Sequence, residues 1–172
     1  MIAQRSTEKC RLQVLNFNRN MKVQIRKAKS EQAEVLTAIA HAAKRHWGYP
    51  ESWIAQWKTD LTISPDFIDN HEVFVACVGD KIVGCCALVL SEPAAELEHM
   101  WIDPARMGRG IGRALFAHAT KRARELHVSA LELSADPHAE KFYERMGARR
   151  IGEIRADMEG QPRFLPRMKI EF

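Results

Sequence analysis

Hydrophobic positions recur with two different periods along the chain. After Ser30, a good capping residue, apolar residues repeat every three or four positions as on one face of a helix. Other apolar runs are short and end at turn residues such as Gly79-Asp80, which is typical of strands in a hairpin. The two periods predict helices over about 31–46, 53–57, 64–70, 110–126 and 139–146, and strands over about 23–26, 73–78, 81–90, 96–102, 130–135, 149–154 and 164–170.

The order of these elements predicts an α/β (α+β) fold with a mixed sheet and helices on both faces. The length of 172 residues suits one domain. Residues 1–20 are polar and show no sustained period, so we expect a disordered extension followed by a single domain over 21–172. Met21 is a second candidate start of translation. Residues 160–166 are expected to form a turn before the last strand.

Composition narrows the class of protein further. No apolar run reaches the roughly 18 residues of a membrane span, and no secretory signal is evident, so we expect a cytoplasmic protein. The net charge of +4 is not arranged as a basic stripe interleaved with aromatic residues, so nucleic acid is not an expected partner. The four cysteines lack metal-ligand spacing, which favours buried reduced thiols and no metal site.

One segment between a predicted strand and a predicted helix has the composition of a phosphate site. It reads Ile102-Asp103-Pro104-Ala105-Arg106-Met107-Gly108-Arg109-Gly110-Ile111-Gly112-Arg113. Glycines allow an anion to approach the backbone, and the first N–H groups of a helix lack intrahelical partners. The arginines add positive charge. From the turn alone, a glycine-rich loop before a solvated, arginine-bearing helix remains an alternative interpretation.

The glycine spacing separates this segment from two common phosphate motifs. It is G-x-G-x-G, whereas the dinucleotide motif needs G-x-G-x-x-G and the P-loop needs G-x-x-x-x-G-K-[ST]. At this point the sequence resembles the GNAT superfamily of N-acetyltransferases, whose pyrophosphate loop reads [R/Q]-x-x-G-x-[G/A]. The register 107–112 fits that loop, except that Met107 replaces the first Arg or Gln.

A second segment strengthens the resemblance. Residues 139–148 are similar to the family's helix A-x-x-[F/L]-Y-E-[K/R]-x-G-F, with Ala148 in place of the final Phe. Asp136 stands where the family often has Asn, and His138 or Asp136 is expected to take over its contact to the cofactor. Two motifs in the family's order are more specific than either alone.

The resemblance implies a mostly antiparallel central sheet of six to seven strands, splayed where acetyl-CoA binds as co-substrate. Strand residues 100–102 would offer an open edge to the amide groups of its pantetheine arm, as an added strand would. The cofactor-binding residues expected on this basis are Met100, Trp101, Ile102, Met107, Gly108, Arg109, Gly110, Ile111, Gly112, Arg113, His138 and Tyr143.

Acyl transfer to an amine needs a base, a donor to the oxyanion and an acid for the departing thiolate. In the family the tyrosine matching Tyr143 is usually the acid, and a strand glutamate such as Glu98 often acts as base. The Ile102 N–H is our candidate donor to the acyl carbonyl oxygen. Strict alternation would put Glu98, Met100 and Ile102 on one face, although a β-bulge is common in this strand of the family. The alternative interpretations are that Tyr143 is only a core residue and that Glu98 is only a solvated strand residue.

The acceptor pocket is expected near His46, Trp47 and Tyr49, since the family lines its pocket with this region and aromatic groups can bind an amine by cation–π contact. Arg163 is either a ligand for a substrate carboxylate or a surface charge. We therefore expect acetyl transfer from acetyl-CoA to a primary amine of a small molecule or peptide, by direct attack in a ternary complex. A catalytically silent coenzyme A-binding regulatory module is the alternative, and the resemblance makes a homodimer a candidate assembly.

Overall fold

Seven strands form a single sheet in the computed structural model, which describes residues 22–172. The strands are β1 (Val23–Lys27), β2 (Glu72–Val78), β3 (Lys81–Ser91), β4 (Ala94–Ile102), β5 (Ala130–Ser134), β6 (Arg149–Met158) and β7 (Gln161–Glu171). The helices are α1 (Ala33–His46), α2 (Glu51–Gln56), α3 (Pro65–Asn70), α4 (Ile111–Glu125) and α5 (Glu140–Arg145). The expected disordered extension over 1–20 and the second start at Met21 lie outside the described residues.

The strand order is β1-β2-β3-β4-β5-β7-β6, and every neighbouring pair is antiparallel except β4 and β5. This confirms the prediction of a mixed, mostly antiparallel sheet. The parallel pair is short, because only residues 94–96 of β4 pair with residues 130–132 of β5. Beyond that point β4 pairs only with β3, and the two halves of the sheet diverge. The predicted splay is therefore present between β4 and β5.

Each face of the sheet packs against its own helices. The core on one face is built from α4 and α5 with residues such as Leu115, Phe116 and Leu131. The core on the opposite face is built from α1 and α3 with residues such as Leu36 and Ile68. Burial of these side chains is what fixes the helices on the sheet, since each fully buried Leu, Ile or Phe contributes about 1.5–3 kcal/mol.

Most predicted elements are found, with two local corrections. Ser30 does not cap α1, because residues Ser30–Gln32 form a turn of 3₁₀-helix and α1 starts at Ala33. Residues 161–166 are not a turn but belong to β7, and the tight turn before it is confined to Glu159-Gly160, where both φ angles are positive. Pro162 and Pro166 within β7 made a strand hard to recognise there.

No helix within residues 22–172 is long and apolar enough to cross a membrane. The three described cysteines, Cys77, Cys85 and Cys86, are buried and free, whereas Cys10 lies outside the described residues.

Candidate active site

A cavity of about 790 Å³ occupies the gap where β4 and β5 diverge. Its wall combines β4, the start of α4, the end of β5, α5 and parts of α1 and β7. This volume lies in the range typical of small-molecule sites. The divergence of the two strands therefore creates a concave site with room for a small-molecule ligand.

The start of α4 forms one end of the cavity. Gly110 is the N-cap with a φ of 83°, a left-handed conformation that favours glycine. The first bond of the helix joins the Ala114 N–H to the Gly110 carbonyl at 3.0 Å, so the N–H groups at positions 111, 112 and 113 have no intrahelical partner. These amides lie at the positive end of the helix dipole and suit an anion such as a phosphate.

Glycine also keeps this end of the cavity open. A Cβ atom added at Gly112 would lie 3.5 Å from the Phe142 ring and 3.7 Å from the Met100 side chain, both of which line the cavity. Arg106 and Arg113 line the same end, whereas Arg109 does not line the cavity. Positive charge from two arginines thus adds to that of the helix start.

Strand β4 presents an unpaired backbone edge along the cavity. Met100, Trp101 and Ile102 all line it, in the part of β4 that has no partner in β5. The register between β3 and β4 shifts at Ala87/Leu88, which pair with His99 and Leu97, so Glu98 is the extra residue of a β-bulge. The bulge breaks the strict alternation that would place Glu98 on one face with Met100 and Ile102.

Tyr143 lies on α5 inside the gap. The residue is 8% exposed, and its ring packs edge-on against Phe116 and Phe142 at centroid distances of 5.4 and 5.1 Å. Burial raises the pKa of Tyr143, and Asp136 and Cys86 raise it further. Its hydroxyl is therefore protonated at neutral pH and can donate a hydrogen bond into the cavity that the residue lines.

Glu98 lines the cavity from the bulge of β4. Partial burial raises the pKa of Glu98, and the neighbouring carboxylates of Glu96 and Asp60 raise it further. A carboxylate with a raised pKa is a better proton acceptor than a fully solvated one. Tyr143 and Glu98 thus lie on the walls of one cavity, with the chemistry of an acid and a base.

The residues predicted for the acceptor pocket have three different positions. Trp47 lines the cavity and stacks on His138 with ring centroids 5.1 Å apart. Tyr49 does not line it but donates to the Asp136 carboxylate at 3.0 Å. His46 is exposed, and its ring lies edge-on to that of Trp47 with the ring centroids 5.3 Å apart.

The sequence did not single out Lys44, which meets Asp136 and Arg163 in the cavity wall. Lys44 Nζ lies 2.7 Å from Asp136 Oδ2, and Arg163 Nη2 lies 3.0 Å from the same oxygen. Lys44 follows Leu36 and Ala40 at intervals of four in α1, so a charged residue continues a buried stripe. That interruption of the apolar pattern is the signal that could have revealed it.

A splayed sheet with unpaired amides at a helix start and a buried tyrosine in the gap is the combination expected of a coenzyme A-dependent acyltransferase. The model of the acetyltransferase (GNAT) family matches residues 34–148, which is more than half of the chain. The chain belongs to this family, as its two motifs predicted, and is by family an acyltransferase.

Comparison with known proteins agrees with this assignment. The chain is 28% identical to the peptidyl-lysine N-acetyltransferase YjaB of Salmonella typhimurium over 145 residues, which cover 83% of this chain and 94% of the relative. A GCN5-related N-acetyltransferase from Rhodopseudomonas palustris superposes with a TM-score of 0.71 at 18% identity, covering 87% of this chain and 95% of that one. The PaiA N-acetyltransferase of Thermoplasma acidophilum, solved with coenzyme A, has a TM-score of 0.68 at 21% identity, covering 88% and 100%.

Proposed function

We propose that this protein transfers the acetyl group of acetyl-CoA to a primary amine of a small molecule or peptide, by direct attack in a ternary complex. The observation that carries the proposal is the single cavity lined by the α4 start, the open edge of β4 and Tyr143. The relative from Salmonella typhimurium is named a peptidyl-lysine N-acetyltransferase, which supports an amine as acceptor.

Different features of the cavity suit the two ends of the cofactor. The unpaired amides at 111–113 and the side chains of Arg106 and Arg113 suit the pyrophosphate. Residues 100–102 of β4 suit the amides of the pantetheine arm, because an open strand edge pairs with extended amide groups. His138 borders the same cavity and is the expected further contact.

We assign the steps of the reaction to three groups of the protein. The neutral amine attacks the thioester carbonyl carbon, its proton passes to Glu98 directly or through water, and the carbon–sulfur bond breaks. The Ile102 N–H is the candidate donor to the carbonyl oxygen, and the Tyr143 hydroxyl donates to the departing thiolate. The side chains of Glu98 and Tyr143 both line the cavity, so both can lie close to a thioester bound there.

The experiment is a measurement of free thiol released from acetyl-CoA across a panel of primary amines, with mass spectrometry of the acetylated product. We expect release above hydrolysis for at least one class of amine. Initial rates with both substrates varied should give intersecting lines, because direct attack needs both substrates bound together. Parallel lines would indicate an acetyl-enzyme and contradict the direct route.

Silence over the whole amine panel, with acetyl-CoA still bound in calorimetry, would contradict enzymatic activity and favour the coenzyme A-binding regulatory module. Absence of acetyl-CoA binding would contradict both, because each depends on the α4 start.

A further inference from the structure

The cavity wall contains two cations and one carboxylate at its acceptor end. Lys44, Asp136 and Arg163 come from α1, the segment before α5 and β7, and their side chains are only 11%, 11% and 9% exposed. Within residues 22–172, Asp136 is the only carboxylate that forms a salt bridge with either cation. The cluster therefore has one unit of positive charge that no described carboxylate balances.

The single negative charge of Asp136 cannot balance both cations, and its two oxygens already accept several hydrogen bonds. Its Oδ2 accepts from both Lys44 and Arg163, while its Oδ1 accepts from the His138 amide and the Tyr49 hydroxyl, each at 3.0 Å. Arg163 has unused donor capacity among the described residues. Its Nη2 donates to the Tyr49 hydroxyl and to Asp136, whereas its Nε is buried without a partner. A guanidinium normally binds a carboxylate through two nitrogens.

Aromatic rings contact both cations but do not neutralise them. Lys44 Nζ lies 5.2, 4.8 and 5.7 Å from the ring centroids of Tyr49, Trp57 and Trp101. Arg163 lies 5.2 and 4.9 Å from the first two of these rings. Such contacts contribute about 0.5–2 kcal/mol, and the rings have no net charge. A buried cation without a counter-ion costs more than that, so an anion bound here would be stabilised.

The net pKa shifts of Lys44 and Asp136 have different causes. Burial lowers the pKa of Lys44, Arg163 lowers it further, and Asp136 only partly opposes them. Burial raises the pKa of Asp136, but Lys44, the His138 amide and Arg163 outweigh burial and hold it below its ordinary value. The Asp136 shift thus shows that its neighbours stabilise a negative charge at this end of the cavity, whereas the Lys44 shift is mainly an effect of burial.

We propose that the acceptor is an amino carboxylate, whose carboxylate binds to Lys44 and Arg163 while its amine faces the thioester. This inference rests on the proposed function and names the substrate class of the same site. The aromatic cage that would suit a substrate ammonium already holds Lys44 Nζ. A purely cationic acceptor, such as a lysine side chain, is repelled there.

The test compares amino carboxylates of increasing chain length, from glycine and β-alanine upward, with their primary carboxamides in the thiol-release assay. Each pair keeps the amine and removes the negative charge. For at least one pair we expect kcat/KM to be tenfold or more higher for the acid, equivalent to about 1.4 kcal/mol. Turnover with equal or better use of the amides would overturn this inference while leaving the proposed function intact.

Variants assign the preference to the cluster. Arg163→Gln and Lys44→Met should each reduce the ratio of kcat/KM for the acid to kcat/KM for its amide at least fivefold. Arg163→Lys should retain more of this ratio than Arg163→Gln does. Arg155→Gln is the matched control, because Arg155 is an exposed arginine of the same β6–β7 hairpin, paired with Asp157. An unchanged ratio in folded Arg163→Gln, verified by thermal unfolding, would overturn the assignment.

A binding measurement tests the site without turnover and without variants. N-Acetylglycine and N-acetyl-β-alanine, which are product-like acids, are titrated into the wild-type protein against their amides while tryptophan fluorescence is followed. We expect saturable quenching by at least one acid and not by its amide, because Trp57 and Trp101 contact Lys44. Equal responses to acid and amide, or none, would contradict the carboxylate site; acid binding without acetyl transfer to any amine would contradict only the proposed function.

Discussion

Replacement of Tyr143 by Phe is the sharpest test of the acid role. The side chain is 8% exposed, and its ring lies edge-on to Phe116 and Phe142. Phenylalanine keeps this ring and these contacts and removes only the hydroxyl. We therefore expect the free energy of unfolding to change by no more than about 1 kcal/mol, since one neutral hydroxyl contributes about that much.

The expected effect on catalysis is much larger than the effect on folding. A positioned acid contributes roughly 10²–10⁴ in rate, which corresponds to about 3–5 kcal/mol of transition-state stabilisation. The raised pKa of Tyr143, caused first by burial, keeps the hydroxyl protonated at neutral pH. We expect kcat to fall at least a hundredfold while the dissociation constant for acetyl-CoA changes less than threefold, because we assign the pyrophosphate to the amides of α4 and not to Tyr143.

The assay is steady-state thiol release at saturating acetyl-CoA, combined with calorimetry of cofactor binding and thermal unfolding. Tyr49→Phe is the contrasting variant, because it removes the only other tyrosine hydroxyl of the chain, which donates to Asp136. We expect Tyr49→Phe to change mainly the KM for the acceptor. A Tyr143→Phe protein with near wild-type kcat would refute the acid role. Loss of acetyl-CoA binding in this variant would refute the assignment of cofactor binding to the α4 start and of proton donation to Tyr143.

Three further outcomes are expected. Gly110→Ala should cost about 1–2 kcal/mol of stability and weaken acetyl-CoA binding in calorimetry, because φ is 83° although a Cβ there would meet nothing; unchanged affinity would contradict the loop assignment. Gly84→Ala should cost about 1–3 kcal/mol in urea unfolding and raise KM for acetyl-CoA, because its Cβ would lie 2.8 Å from the Trp101 carbonyl oxygen of β4. Burial lowers the pKa of His99 from 6.5 to about 4. Between pH 6.5 and pH 4 the unfolded chain therefore binds more protons than the folded one, and up to about 3 kcal/mol of stability is lost as the pH falls through this range. A His99 titration midpoint near 6.5 by NMR would contradict this.

Parts of the site that depend on backbone geometry were predictable from sequence. The two glycines Gly108 and Gly110 have φ angles of 73° and 83°, and only glycine adopts such values without strain. A glycine-rich turn between a strand and a helix therefore predicts the left-handed backbone of this helix start before any tertiary structure is known. The β2–β3 hairpin was predictable for a similar reason, since a turn of Gly79-Asp80 joins two apolar runs.

Elements with weak local signals were harder to predict. Strand β6 is exposed over almost its whole length, so its sequence lacks the alternation that burial imposes. Its length follows from pairing with β7, which continues through Pro162 and Pro166. The bulge at Glu98 has no signal in the strand's own residues, because it is a shift in register relative to β3, and only the family resemblance raised it.

The two ends of the cavity therefore differ in what substitution can change. The cofactor end consists largely of backbone amides at 111–113 and the edge of β4, so exchanging exposed side chains alters it little. The acceptor end consists of side chains from residues 44, 136 and 163, which are distant in sequence and meet only in the folded chain. Because the charge of that end is the sum of three side chains, we expect a single substitution there to change the acceptor preference with little effect on cofactor binding. We thus expect acceptor choice in this protein to depend on that ion cluster, and acetyl-CoA binding to depend on the glycines of the α4 start.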